Sequence, residues 1–154
     1  MAVGYRDSIG YRSFTNYEGV EFQYLRPSAD SAAGSWTVTP LYQKLDETPY
    51  DDGDYITSPA NPQAASCKIK VQSGLDPAMS TGHVVRYRYQ KNASGGQALS
   101  LTVRLMQGNT VIASNTHNNV ANGFSQGSFT LSAGEANSIT DYTDLYLQFE
   151  AQGS

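Results

Sequence analysis

Hydrophobic and polar residues alternate along most of the chain from Trp36 onward. An alternation with a period of two places apolar side chains on one face of a β-strand and polar side chains on the other. The clearest run covers 97–107, where apolar residues stand at Leu99, Leu101, Val103 and Leu105. Comparable runs predict further strands at 20–25, 67–71, 83–91, 110–116, 125–131 and 145–150.

Two short motifs predict how neighbouring elements are joined. Gly108 and Asn109 separate two alternating runs, which favours a two-residue hairpin of type II′ with glycine first. Ser132 and Glu135 have the spacing of a capping box, in which each residue satisfies a free N–H group of the other. We therefore expect one short helical turn near 133–138.

The segment between 27 and 45 gives a weaker pattern. Residues 27–35 are mostly small, which predicts a loop. Residues 36–39 alternate until Pro40, which suits an edge strand or a strand end. Residues 41–45 are interpreted as a continuation of that strand after a bend.

These patterns predict an all-β fold of eight or nine short strands. Strands with one polar and one apolar face are satisfied by two stacked antiparallel sheets. We therefore expect an antiparallel β-sandwich, with a jelly roll as the favoured architecture and a closed barrel as the alternative. Residues 20–154 form a single domain in this interpretation, and its size suffices for a stable core.

The first 19 residues differ from the rest of the chain. Gly4-Tyr5-Arg6 is echoed six positions later by Gly10-Tyr11-Arg12. Tyrosine and arginine are enriched at the energetic centres of protein interfaces. One interpretation of 1–19 is an extended arm that binds a partner, and the other is a first strand packed on its own domain. The predicted partner-binding residues are Tyr5, Arg6, Tyr11, Arg12, Phe14 and Tyr17.

Composition narrows the class of partner. The formal net charge is −4, and 10 basic residues in 154 argue against a nucleic-acid partner. The chain has no apolar run long enough for a membrane span, so we expect no membrane partner. Cys67 is the only cysteine and shares an alternating face with Ile69 and Val71, which predicts a buried thiol.

An acidic segment at 46–54 holds five of the 14 acidic residues. Clustered carboxylates can bind Ca²⁺ through their oxygens. The spacing does not match the twelve-residue calcium loop, so the favoured interpretation is a solvated turn and a metal site is the alternative. We expect no cofactor and no metal; the candidates for a metal site would be Asp46, Asp51, Asp52 and Asp54.

The sequence does not contain a recognisable catalytic motif. His83 and His117 lie outside any nucleophile-elbow or zinc-protease pattern. The Gly95-Gly96 pair is not followed by a helical pattern that would bind a phosphate. We therefore predict that the protein is not an enzyme and that both histidines are polar residues at strand ends.

Four segments of the chain resemble a group of small virion-associated proteins of tailed bacteriophages. The likeness covers residues 36–150 and is most specific over 83–150. The segments that carry it are His83–Tyr89, Leu101–Gly108, Ser138–Phe149, and Leu45-Asp46-Glu47 followed by 51–56.

The resemblance implies a structural protein of the virion, made in the host cytoplasm and located on the capsid surface. The function it favours is that of a decoration, or cement, protein that clamps neighbouring capsid subunits from outside. Its partner would be the major capsid protein of the same phage, and it would act as a homotrimer or another homo-oligomer. The alternative is a carbohydrate-binding module or a tail-associated adhesin domain, which would use Trp36, the tyrosine-rich loops and the acidic segment.

Overall fold

The computed structural model describes residues 2–4, 9–14, 20–92 and 96–154, with side chains described from residue 23 onward. Within these residues the chain forms eleven strands and two short helices. The strands are β1 (Ala2–Gly4), β2 (Ile9–Phe14), β3 (Val20–Leu25), β4 (Pro27–Ala32), β5 (Ile56–Thr57), β6 (Ala65–Val71), β7 (Val84–Gln90), β8 (Leu99–Gln107), β9 (Thr110–His117), β10 (Ser125–Thr130) and β11 (Leu145–Gly153). The helices are a 3-10 helix at Leu41–Lys44 and α1 at Ala133–Asn137.

The strands form two antiparallel sheets, which confirms the predicted all-β sandwich. Sheet 1 has the order β3-β2-β7-β1-β5, with β10 on the other edge of β7. Sheet 2 has the order β4-β6-β11-β8-β9. A single core cluster draws residues from both sheets, so the two sheets pack face to face.

The strand order is that of a jelly roll with one substitution. In a jelly roll, eight strands B to I form one sheet in the order B-I-D-G and another in the order C-H-E-F. Sheet 1 contains β5-β1-β7-β10 and sheet 2 contains β6-β11-β8-β9, which match these two orders. Strand I normally follows strand H along the chain. Here its position in the sheet is occupied by β1, which precedes all the other strands in the sequence.

The alternating pattern is the reason that the core forms where it does. In β11, Leu145, Leu147, Phe149 and Ala151 are at most 1% exposed, while the residues between them are half-buried. The same period of two buries alternate residues of β6, β7 and β8. Burial of a large apolar side chain stabilises the fold by about 1.5–3 kcal/mol, so these positions supply most of the driving force.

Cys67 lies in this core, as its alternation with Ile69 and Val71 predicts. The side chain is 1% exposed, and burial raises the pKa of its thiol well above the ordinary range. A thiol that stays protonated is a poor nucleophile, so Cys67 acts as a small apolar core residue.

Both predicted connecting motifs are present. Gln107 pairs with Thr110, and Gly108 between them has a φ of +55°, as the first position of a type II′ turn requires. Ser132 and Glu135 form the capping box at the start of α1, with the Ser132 N–H donating to the Glu135 carboxylate over 2.7 Å.

The prediction for 27–45 is wrong in three places, one of which is 36–39, where the chain forms no strand and contributes only an isolated bridge between Thr37 and Thr57. Residues 27–32 form β4, an edge strand of sheet 2, instead of a loop. Residues 41–44 form a 3-10 helix instead of a strand, because both carboxylate oxygens of Asp30 accept the N–H groups of Leu41 and Tyr42 over 2.8 Å. The contact joins residues eleven positions apart, so local alternation does not reveal it.

Replacing Phe149 with alanine tests the assignment of the core. Phe149 is fully buried, so Phe149→Ala is expected to lower the free energy of unfolding by about 3–5 kcal/mol in denaturant titrations. Val111 is 49% exposed on β9, and Val111→Ala serves as the matched control, with an expected change within about 0.5 kcal/mol. Equal losses in the two variants would contradict the assignment.

Candidate interaction surface

The six predicted partner-binding residues fall partly outside the described residues. Tyr5, Arg6 and Tyr17 lie there, so the structure does not place them. Tyr11, Arg12 and Phe14 belong to β2.

The β2–β3 hairpin is joined to the rest of sheet 1 at one corner. Within the described residues, β2 meets β7 through a single register pair, Gly10 opposite Val84. The two strands of the hairpin pair with each other from Ile9–Leu25 to Phe14–Val20, and beyond Gly10 they have no other strand partner among the described residues. The hairpin therefore extends past the end of β7, and in the described part of the chain β3 has β2 as its one strand partner.

The register sorts the hairpin positions into two faces. Directly opposed residues of an antiparallel pair share a face. Arg12 is opposite Phe22 and Phe14 is opposite Val20, so these four positions share one face, together with Tyr24. The other face carries the positions of Tyr11, Ser13, Glu21 and Gln23. One side of the hairpin thus carries the aromatic positions Phe14, Phe22 and Tyr24, and the other side is mixed, because it also carries Ile9 and Leu25.

Exposed apolar groups continue beside the hairpin. The Tyr24 side chain is 45% exposed and Leu75 is 73% exposed. The side-chain amide of Gln23 donates to the Leu75 carbonyl and accepts the Leu75 N–H over 3.3 and 3.0 Å, which holds Leu75 against β3. Gln23 and Tyr24 are successive positions of β3, so Tyr24 extends the aromatic face and Leu75 lies beside the other face. We call β2, β3 and Leu75 together the hairpin surface.

Sequence reasoning did not identify Leu75. It stands in a turn-rich segment before Asp76-Pro77, where a single apolar residue carries no periodic signal. The one available hint is that a leucine occupies a segment otherwise composed of small and polar residues.

The acidic segment at 46–54 is tied to the protein by its own carboxylates. Asp52 accepts two hydrogen bonds from Arg88, from Nε and Nη2, each over 2.6 Å. Asp54 pairs with Lys44 Nζ over 2.9 Å, and Asp51 accepts the Gly53 N–H over 2.7 Å. Of the four candidate metal ligands, three therefore bind protein groups, and Asp46 is exposed. The described residues contain no cluster of three or more metal-ligating side chains.

Arg88 anchors the acidic segment to the outer face of sheet 1. Its guanidinium lies 4.3 Å from the ring centre of Tyr50 and 5.6 Å from that of Phe124. Tyr55 packs beside Phe124, with ring centres 6.1 Å apart. A cation over an aromatic face adds a favourable electrostatic contact to the bidentate pair with Asp52. The segment is therefore held on the sheet.

Replacing Arg88 with lysine is expected to release this segment. A lysine keeps the charge but loses the bidentate geometry and the planar stacking. In Arg88→Lys, cleavage within 46–54 by a protease specific for acidic residues should become severalfold faster. Arg86→Lys changes the same residue type on the same face of β7 and should leave the rate unchanged. Equal cleavage rates in all three proteins would contradict the anchoring role.

Glu47 differs from the other members of the acidic segment because one of its carboxylate oxygens is buried. Its Oε2 atom is buried, and no described residue donates a hydrogen bond to it. The pKa of Glu47 is raised to about 7, mainly by burial and further by the adjacent Asp54 carboxyl. The folded protein thus binds a proton at Glu47 at pH values where an unfolded chain, with a pKa of 4.5, has lost it.

This shift predicts a loss of stability as the pH rises. Binding of the proton by folded Glu47 contributes to the free energy of unfolding. This contribution is fully present below the unfolded pKa and is lost as the pH rises through about 7. In Glu47→Gln the contribution does not depend on pH. The variant should therefore gain stability relative to the wild type between pH 5 and 8 in denaturant titrations. A difference that stays flat with pH for Glu47→Gln would refute the shift.

A polar cluster joins the two sheets at His117. Its Nε2 lies 2.7 Å from the Tyr87 hydroxyl and its Nδ1 lies 2.9 Å from the Tyr89 hydroxyl. Asn115 Nδ2 donates to the Tyr87 oxygen over 3.1 Å, so the Tyr87 hydroxyl can donate to Nε2 and leave the proton on Nδ1. Burial lowers the pKa of His117. Tyr87 and Tyr89 belong to sheet 1 and the other two residues to sheet 2, so the cluster connects the layers.

His83 has a comparable structural setting. It is fully buried just before β7, and its Nε2 lies 2.8 Å from the Tyr142 hydroxyl. Burial lowers the pKa of His83 and raises the pKa of Tyr142 to about 12. Both groups are therefore neutral at physiological pH, and the pair joins β7 to the segment before β11.

One pocket of about 340 Å³ lies at the end of the sandwich. Its lining comes from the β5–β6 connection and from both ends of the β7–β8 connection, and includes Thr57, Pro59, Pro62, Lys91 and Leu99. The volume is at the lower end for a small-molecule site. Lys91 Nζ donates to the Gln97 carbonyl over 2.8 Å, so the basic group of the lining is bound by the protein.

Comparisons of the chain with protein-family models, with curated protein sequences and with solved structures gave no match. Neither helix in the described part of the chain has the length and apolar character needed to cross a membrane. The functional interpretation therefore depends on the residues and their geometry.

Proposed function

We propose that the protein is a structural component of a bacteriophage virion, a decoration protein that binds the outside of the head and stabilises it. The partner is the major capsid protein of the same phage, and the active form is a homo-oligomer. The resemblance of 83–150 to virion-associated proteins supports this proposal, and a sandwich of two sheets is a common architecture among capsid proteins.

The observation that carries the proposal is the hairpin surface. The hairpin extends beyond the sandwich, and its aromatic face includes the positions of Arg12, Phe14 and Phe22. Arginine and aromatic residues contribute most to the binding energy of interfaces. The edge strand β3 can accept a further strand from a capsid subunit by backbone hydrogen bonding. Tyr24, whose position shares that face, would widen the apolar contact.

The titratable groups favour binding over catalysis. Both ring nitrogens of His117 face tyrosine hydroxyls, which leaves neither available to act on a substrate. The carboxylates of Asp52 and Asp54 are neutralised by Arg88 and Lys44. We therefore propose that the protein acts through its surface and not as an enzyme.

A carbohydrate-binding module or tail-associated adhesin is the second candidate. Trp36 does not support it, because its side chain is 2% exposed and its indole N–H donates to the Ala65 carbonyl over 3.2 Å. The observation that favours it is the partly exposed group of Tyr50, Tyr55 and Phe124, since sugars stack on aromatic rings. Ligand binding on a glycan array that is lost in Tyr55→Ala would favour this candidate.

Co-sedimentation tests the proposed function. Heads assembled from the major capsid protein encoded with this chain are mixed with the purified protein and pelleted. The wild type should pellet with the heads, and Phe14→Ala should weaken binding at least about tenfold, the loss expected when an interface anchor worth 1.4 kcal/mol is removed.

Ser13→Ala is the matched control, because Ser13 is the neighbouring position on the other face of the hairpin. It should bind as the wild type does, and circular dichroism should show all three proteins folded. A wild-type protein that stays in the supernatant would contradict the proposed function. Wild-type binding by Phe14→Ala would contradict the role of the hairpin surface.

A further inference from the structure

Strand β1 occupies an internal position of sheet 1 although it comes from the N-terminal end of the chain. It lies between β5 and β7 and pairs with both in antiparallel register. Ala2 is opposite Thr57 and Gln90, and Val3 is opposite Ile56 and Tyr89. The body of the sandwich thus has a slot between β5 and β7 that a separate strand fills.

The backbone of the slot requires an occupant. Thr57 exchanges both of its backbone hydrogen bonds with Thr37, over 2.9 and 2.6 Å. Successive residues of a strand direct their backbone groups to opposite edges, so those of Ile56 face β1. Ile56 is fully buried, and its N–H and C=O would lose their strand partner if β1 left.

The described contacts of β1 are the backbone pairs of three residues. The groups of Val3 face β5, and those of Ala2 and Gly4 consequently face β7. An identical strand from another copy of the chain would make the same hydrogen bonds in the same register. Occupancy by the chain's own strand or by a neighbour's strand therefore differs only in the linker and in the entropy of association.

The spacing between β1 and β2 along the chain is larger than the matching spacing along β7. Gly4 is opposite Arg88 and Gly10 is opposite Val84, so six positions of the N-terminal segment span four positions of β7. The two glycines also begin the Gly-Tyr-Arg echo, which places both copies of that motif along one edge of β7. The segment has two residues more than the ladder uses, and β1 is not joined to β2 by a tight hairpin that would restrict it to its own slot.

We propose that β1 is an exchangeable strand and that, in the assembled state, it fills the β5–β7 slot of a second copy of the chain. Exchange keeps every backbone pair of the slot, and because the six positions from Gly4 to Gly10 span at most about 20 Å, the two copies must lie in contact. Crowding of copies in an assembly raises their effective concentration and so favours the exchanged form. This inference rests on the proposed homo-oligomer but not on the binding to phage heads.

Two proteins with one added cysteine each test the exchange. Ala2 and Thr57 are directly opposed and each directs its backbone groups away from the other, so they form the closely spaced kind of pair that a disulfide can bridge. Ala2→Cys and Thr57→Cys proteins are refolded together at high concentration, oxidised and separated on a non-reducing gel. The buried Cys67 is shared by both proteins, and the wild type shows whether it reacts.

A disulfide-linked heterodimer as the main oxidised product is the expected result. Ala2→Cys mixed with Val111→Cys, an exposed residue on β9, is the control for random collisions and should stay monomeric. A monomeric first mixture, alongside an internal disulfide in the Ala2→Cys/Thr57→Cys double variant, would show that the strand stays in its own chain. The absence of any disulfide in the double variant would show that β1 does not occupy the slot, and either result would overturn the proposal.

Discussion

Backbone pairing along β7 is the constraint on which the rest of the structure depends. β7 is an internal strand that hydrogen-bonds to β10 along one edge and to β1 and the start of β2 along the other. A buried backbone group without a partner costs about 1–3 kcal/mol, so an internal strand cannot leave an edge open. This requirement draws the N-terminal segment into the sandwich and positions the β2–β3 hairpin at the corner where Gly10 meets Val84.

The alternation of β7 also organises what lies on either side of sheet 1. Val85 and Tyr87 point inward, and Tyr87 reaches across to His117 on the opposite sheet. Arg88 points outward and binds Asp52, which fixes the acidic segment on the outer surface. The close approach of β10 follows from the same strand, because a side chain at Gly127 would collide with the Tyr87 ring. One strand therefore couples the core, the cross-sheet contact and the surface segment.

Features with a local cause could be predicted from the sequence. The strands β6 to β11 follow from alternation, the Gly108 turn from its two-residue length, and α1 from the Ser132–Glu135 spacing. Each of these depends on residues a few positions apart. The fold class follows from them, because strands with one apolar face must be stacked.

Features with a distant cause could not be predicted. The 3-10 helix at Leu41–Lys44 depends on Asp30, and the position of the acidic segment depends on Arg88, 36 positions beyond Asp52. The place of β1 depends on a vacancy between β5 and β7 that exists only once the two sheets have formed. The place of the exposed Leu75 beside the hairpin depends on its hydrogen bonds with Gln23, which lies 52 positions away in the sequence. The candidate site is therefore less predictable than the fold, since it is assembled from non-local contacts.

Amide hydrogen exchange at Ile56 tests most directly whether the N-terminal strand completes the sandwich. In the fold described here, the Ile56 N–H faces β1 and is protected only while that strand is in place. We expect its protection to be comparable to that of the inner amides of β7. Exchange of Ile56 at the rate of an open loop, with β7 still protected, would contradict the account.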